Sequence, residues 1–166
     1  PGINTPYEED GPFIHPDDMS AEGEDLCEKA VEYADKIPNR TDLKNDYFAY
    51  IALIVKMKAL YLLKEFKKAD EIIKDIIEVI PISRDTAEYV AARAEFIERD
   101  IVERVIQSLF RDYPDQSWAL LIIAFLQIQR LKDHINAWEN AKRVLELTSE
   151  DMERERAAGI IFDIGN

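Results

Sequence analysis

The sequence predicts an all-α fold of about eight helices that stack as antiparallel pairs. The triplets Leu63-Lys64-Glu65, Ile97-Glu98-Arg99 and Leu131-Lys132-Asp133 recur at a spacing of 34 residues, and a fixed period of this length is typical of stacked helix–turn–helix units. No glycine lies between Gly23 and Gly159. Apolar residues recur every three or four positions, as in helices with one buried face, and do not alternate as in strands.

The order of the helices follows from the residues that interrupt the pattern. Pro38, Pro81 and Pro114 each come after an apolar helical segment. Because proline cannot continue the backbone hydrogen-bond ladder, each should follow a helix end. Ser83 and Asp115 are typical N-cap residues for the helices that come next. The predicted helices lie near residues 20–37, 46–64, 66–80, 84–98, 100–113, 116–131, 133–148 and 150–163.

The 34-residue period also aligns side chains that would pack together. It defines repeats near residues 50–83, 84–116 and 117–150. Their first helices share columns spaced four and three residues apart, which form one stripe along each helix. The columns are Leu53, Ala87, Leu121; Met57, Ala91, Phe125; and Leu60, Ala94, Ile128.

These repeats resemble the tetratricopeptide repeat (TPR) family. The most similar is residues 50–83, with Leu53, Met57, Leu60, Phe66, Ala69, Ile73 and Pro81 at consensus positions. The resemblance implies a right-handed α-solenoid over residues 20–166, in which residues 20–38 are a lone second helix and residues 150–164 a closing first helix. Phe125 stands at a position where the family has a small residue, so we expect the helices to repack locally around it. A plain helical bundle remains the alternative.

The resemblance further implies a concave groove, lined by the first helices, that holds a peptide or helix of a partner. The expected groove is apolar at both ends and acidic in the middle, and suits apolar anchors with some basic residues. A receptor for the acidic tail of a chaperone is not expected. Family members that bind such tails hold them with a clamp of basic residues on the groove, and among the corresponding positions here only Lys58 is basic. The alternative for each position is packing against a neighbouring helix. The groove positions are Ile51, Ile54, Lys58, Tyr61, Asp85, Glu88, Glu95, Phe96, Ile122, Leu126 and Gln129.

Charge and composition limit the classes of partner. The net charge is −13, so a nucleic acid or an anionic membrane surface is a poor partner and a basic protein a better one. No apolar run reaches the ~20 residues that cross a bilayer. Cys27 is the only cysteine, so no disulfide forms within the chain, and its acidic neighbours disfavour a reactive thiol. A cytoplasmic location is expected, although the N-terminus could be processed or trimmed.

Residues 1–19 form an acidic, proline-rich leader with Tyr7, Phe13 and Ile14 as apolar anchors. Two hypotheses stand for this segment, a flexible tail or a strap that masks an interaction surface. His15 lies near Asp17 and Asp18 but lacks further ligands at usable spacing, so no metal site is expected.

The expected function is non-catalytic protein–protein interaction, as an adaptor or scaffold that assembles a complex. No catalytic constellation, cofactor motif or metal motif is visible, so neither an enzyme nor a cofactor is predicted. The alternatives are a dedicated chaperone of a secreted or membrane-active partner, similar to those of type III secretion, and a self-assembling structural module that forms homo-oligomers.

Overall fold

The computed structural model describes residues 16–37 and 42–166. Within these ranges it contains eight α-helices and no strand, which confirms the all-α class. Residues 1–15 of the predicted leader, which include its anchors Tyr7, Phe13 and Ile14 and also His15, lie outside the described residues, as does Pro38; the last part of the leader, Pro16–Asp18, forms a 3-10 turn. The helices are α1 (Ala21–Asp35), α2 (Tyr47–Leu62), α3 (Phe66–Ile76), α4 (Arg84–Ala92), α5 (Arg99–Asp112), α6 (Ser117–Leu126), α7 (His134–Leu147) and α8 (Asp151–Gly165).

The chain divides into two compact units, Pro1–Ile80 and Pro81–Asn166, here the N-terminal and C-terminal units. In the N-terminal unit, α2 packs against both α1 and α3. Asp17, just before α1, forms an ion pair with Lys64, just after α2, and Asp35 at the end of α1 lies 2.6 Å from the ammonium of Lys56. These contacts show that α1 and α2 run antiparallel.

The chain leaves α2 and the segment that continues α6 in the same unusual backbone conformation. Lys64 after α2 and Lys132 after α6 have φ angles of 61° and 58°, the left-handed region that favours glycine. The amide of Glu65 donates to the carbonyl of Leu60, and that of Lys64 to Tyr61, which is a Schellman motif. Lys64 and Lys132 are two repeat periods apart, so the sequence repeat is matched here by a repeated backbone geometry.

Helix α6 lies at the centre of the C-terminal unit. It packs against α4, α5, α7 and α8, and every residue from Ala119 to Leu126 is buried. The helix continues as one π-helical turn over Gln127–Leu131, which begins two residues after Phe125. A helix that is apolar on all sides must be covered on all sides, and the other helices of this unit provide that cover.

The remaining boundaries follow from local hydrogen bonds. Ser83 caps α4 as predicted, because its hydroxyl accepts from the amide of Thr86 at 3.2 Å. Asp115 makes no cap and instead pairs with Arg143 at 2.5 Å. Helix α4 ends at Ala92, six residues before the predicted end, since the chain continues as turns that bury Ala94 and Ile97.

Glycine at position 132 should stabilise the chain. Lys132→Gly removes the cost of a left-handed non-glycine residue and should raise the free energy of unfolding by about 0.5–1 kcal/mol, whereas Lys132→Val should lower it. Urea denaturation followed by circular dichroism measures both. The control Glu139→Gly, in the middle of exposed α7 surface, should destabilise by about 1 kcal/mol. Equal losses at positions 132 and 139 would contradict this account of the turn.

Candidate partner-binding surfaces

In the N-terminal unit, the predicted groove residues on α2 differ in exposure. Ile54 and Tyr61 are buried, Lys58 is half-buried and Ile51 is 37% exposed. Helical geometry explains the difference, because Ile54 and Tyr61 share the face of Tyr50 and Met57, which are also buried. Ile51 is therefore the accessible member of this group.

In the C-terminal unit, the acidic positions divide in the same way. Glu88 is only 3% exposed and its carboxylate lies 2.7 Å from Nε of Arg84. The Arg84 guanidinium in turn lies 5.3 Å from the ring centroid of Trp118. Asp85 is half-buried, whereas Glu95 is exposed. Glu88 therefore contributes to internal packing, and Glu95 is the carboxylate that a partner can reach.

Three further groove positions, Ile122, Leu126 and Gln129, are buried on α6 and the π-helical turn. They were expected to line an accessible groove, but the helices around α6 leave no room for a ligand there. The sequence carried a signal for this burial, because the segment from Trp118 to Phe125 has no polar residue on any face.

Among the apolar groove positions, the most exposed is Phe96, in the turns that follow α4. Its side chain is 69% exposed, and the guanidinium of Arg93 lies 4.3 Å from its ring centroid. The adjacent Glu95 is exposed as well. We call Glu95 and Phe96 the Glu95–Phe96 surface; it offers an apolar anchor point next to a carboxylate.

An exposed apolar stripe runs along α2. Of its residues, Ile51 alone was predicted as a groove position. Tyr47 is 70% exposed, Phe48 83% and Val55 44%, and the rings of Tyr47 and Phe48 meet edge to face at 6.2 Å. Positions 48, 51 and 55 follow helical spacing. The sequence could not single them out, because α2 has only Lys56 and Lys58 as charged residues and every face of it looks like core.

A cleft of about 890 Å³ lies in the N-terminal unit, between the end of α1, the first half of α2 and the end of α3. The Lys56–Asp35 ion pair lies at its wall. Four acidic and three basic side chains line the cleft, so its charge favours neither anionic nor cationic ligands. The charged lining residues are Asp35, Asp42, Lys44, Lys56, Lys74, Asp75 and Glu78.

The thiol of Cys27 lies on the inner side of α1. Its sulfur is 3.8 Å from that of Met19, and burial raises the pKa of the Cys27 thiol above its ordinary value. A raised pKa keeps the thiol protonated, and the protonated form is a poor nucleophile. In residues 16–37 and 42–166, no group of three or more His, Cys, Asp or Glu side chains is arranged to hold a metal ion.

No protein-family model matches this chain, and no curated protein or solved structure compared with it is significantly similar. The tetratricopeptide resemblance therefore stays a prediction from the sequence. Among the described helices, none combines the length and the apolar character that a membrane span requires.

The two acidic positions Glu88 and Glu95 should respond very differently to charge reversal. Glu88→Lys places a buried ammonium beside Arg84 and should lower the free energy of unfolding by about 3 kcal/mol or more. Glu95→Lys changes an exposed side chain and should stay within about 0.5 kcal/mol. Thermal denaturation of both variants measures the contrast, and similar losses would contradict the assigned burial.

Cys27 should react slowly with iodoacetamide. Because the native thiol has a raised pKa, alkylation at mildly alkaline pH should be several-fold slower in the folded chain than in the same chain unfolded in urea. The rate in the folded chain should keep rising at more alkaline pH as thiolate forms. Mass spectrometry of timed samples measures both rates, and equal rates would contradict the raised pKa.

Proposed function

We propose that this chain is a non-catalytic protein-interaction module, an adaptor or scaffold, whose helices stack as a TPR-like α-solenoid. One observation carries the proposal. In the C-terminal unit, α4, α6 and α8 are the predicted first helices of successive repeats. Helix α4 packs against α6, and α6 packs against α8. Helices α6 and α8 also contact the predicted second helices that precede them, α5 and α7. Stacked helix pairs, in which each repeat contacts its neighbours, have this pattern of contacts.

The shared turn geometry supports the same arrangement. Lys64 and Lys132 hold the left-handed conformation at equivalent positions of the first and third repeats. The second repeat lacks it, since α4 ends early and position 98 follows turns instead of a long first helix. The repeats are thus degenerate in backbone as well as in sequence.

The Glu95–Phe96 surface is the proposed partner site in the C-terminal unit. The exposed ring of Phe96 is the proposed anchor, because aromatic residues often dominate the energy of protein interfaces. The adjacent carboxylate favours a basic residue in the partner. The partner is accordingly a peptide or helix with an apolar anchor and a nearby lysine or arginine. Ile51 and its neighbours on α2 supply a second, separate apolar surface in the N-terminal unit.

Affinity capture from a lysate of the source cells tests the proposal. We expect the double variant Glu95→Lys, Phe96→Ala to lose at least nine-tenths of a partner that the unaltered chain retains. An aromatic anchor contributes about 2 kcal/mol or more to binding, roughly a 30-fold change in Kd. Binding of the captured partner should also weaken as salt is added, because a charge pair is involved.

The matched control is Glu146→Lys, which reverses one exposed charge on α7, and it should retain the partner. Equal recovery by the double variant, the control and the unaltered chain would contradict the assigned surface. Recovery of no protein by any of them would contradict the adaptor function itself.

A further inference from the structure

The turns that carry the Glu95–Phe96 surface lie outside any regular helix. After the end of α4, the amides of Phe96 and Ile97 both donate to the carbonyl of Arg93, at 2.9 and 3.0 Å. Ala94 and Ile97 are 4% and 3% exposed, so their side chains hold the inner side of the turns. The orientation of the two exposed side chains therefore depends on the contacts that fix this short stretch of backbone.

One of these contacts comes from the π-helical turn that follows α6. Nε of Arg130 donates to the carbonyl of Ile97 at 3.3 Å, across 33 residues of sequence. In residues 16–37 and 42–166, no backbone amide donates to this carbonyl. Ile97 is almost fully buried, and a buried carbonyl without a donor costs free energy. Arg130 therefore supplies the donor that this carbonyl needs, and it does so with a charged group, which makes the stronger kind of hydrogen bond.

The π-helical turn explains how a charged residue at position 130 is accommodated. If α6 continued as an α-helix, Arg130 would share the face of Ile123 and Leu126, which are both fully buried. A π-helical turn holds more residues than an α-helical turn, so it rotates the residues that follow. Arg130 is instead half-buried, with its guanidinium at the carbonyl of Ile97.

Two hydrogen bonds fix this π-helical turn in place. The amide of Asp133 donates to the carbonyl of Gln127 at 2.9 Å. The side-chain amide of Asn140, on α7, donates to Oε1 of Gln127, also at 2.9 Å. The turn packs in addition against α5, the helix that follows the Glu95–Phe96 surface. The backbone from which Arg130 extends is thus held from two sides.

We infer that Arg130 is a positioning residue for the Glu95–Phe96 surface. By holding the carbonyl next to Phe96, it fixes the turns so that the ring stays against the Arg93 guanidinium, 4.3 Å from the ring centroid. A surface that is fixed before binding loses less conformational entropy when a partner docks. The inference rests on the proposed function, because it assigns Arg130 a role in binding that same partner.

NMR relaxation of the whole chain tests the contact. In the unaltered chain the amides of Phe96 and Ile97 should have order parameters of about 0.85, as in rigid backbone. Arg130→Met keeps an aliphatic side chain but has no donor, and both values should fall to about 0.6. Arg130→Lys retains a donor and should restore most of the loss. The control Arg143→Met removes an exposed ion pair with Asp115 in the same unit and should leave both values unchanged.

A second signal reports on the ring itself. Because the Arg93 guanidinium lies over the Phe96 ring, the ring current should shift the side-chain resonances of Arg93 upfield. Phe96→Ala removes this shift and so defines its full size, and Arg130→Met should lose much of it. A purely stabilising role for Arg130 would lower the free energy of unfolding without moving either signal in the folded chain.

Affinity capture from the source lysate then tests the role in binding. Arg130→Met should retain several-fold less partner than Arg130→Lys or the unaltered chain. Unchanged NMR signals in Arg130→Met would overturn the inference, as would failure of this variant to fold, which would make the role structural. Full retention by Arg130→Met, with loss in the Glu95→Lys, Phe96→Ala variant, would overturn the inference and leave the proposed function standing. Capture of no protein by any chain would contradict the proposed function, and the NMR signals would still decide whether Arg130 fixes the turns.

Discussion

The need to cover helices that are apolar on nearly every face shapes this molecule. Both α2 and α6 are of this kind, with only two charged residues in α2 and none in α6. Four helices surround α6, and its residues from Ala119 to Leu126 are all buried. Within its own unit α2 has only α1 and α3 as neighbours, and a stripe that includes Phe48 stays exposed. The same chemistry therefore yields a core in one unit and an open surface in the other.

This difference limits which side chains a proposed partner could reach. The enclosed α6 offers no accessible side chain from Ala119 to Leu126, so the accessible apolar side chains lie elsewhere in each unit. Two such surfaces are the Glu95–Phe96 surface of the C-terminal unit and the stripe of Phe48, Ile51 and Val55 on α2 of the N-terminal unit. Charge distinguishes them, because a basic peptide would be attracted to the carboxylate of the first, whereas the second is apolar.

The sequence was sufficient to predict the helical class and most helix boundaries. The 34-residue spacing located the turns at Lys64 and Lys132, and Pro114 marked a helix end. Pro81 did not, because α3 ends at Ile76, four residues before the predicted end at residue 80. The early end of α4 at Ala92 was not predictable, because residues 93–97 retain helical spacing and depart from the helix only through tertiary burial of Ala94 and Ile97.

The surface residues were harder to predict than the fold. A periodic pattern shows which residues share a face of a helix, but it does not show which faces find a neighbour. Glu88 and Glu95 have similar sequence surroundings, yet one is buried beside Arg84 and the other is exposed. Likewise, Ile51 and Ala119 are two repeat periods apart and occupy equivalent positions of the predicted repeat, yet Ile51 is exposed and Ala119 is buried among the four helices around α6.

Native-state amide hydrogen exchange would test the central claim that α6 is enclosed by its neighbours while α2 is only partly covered. Peptides from α6 should be strongly protected under all conditions. Peptides that cover residues 47–55 of α2 should exchange faster than those from α6, because fewer helices cover α2. Equal protection of the two helices, or faster exchange in α6 than in α2, would contradict the claim.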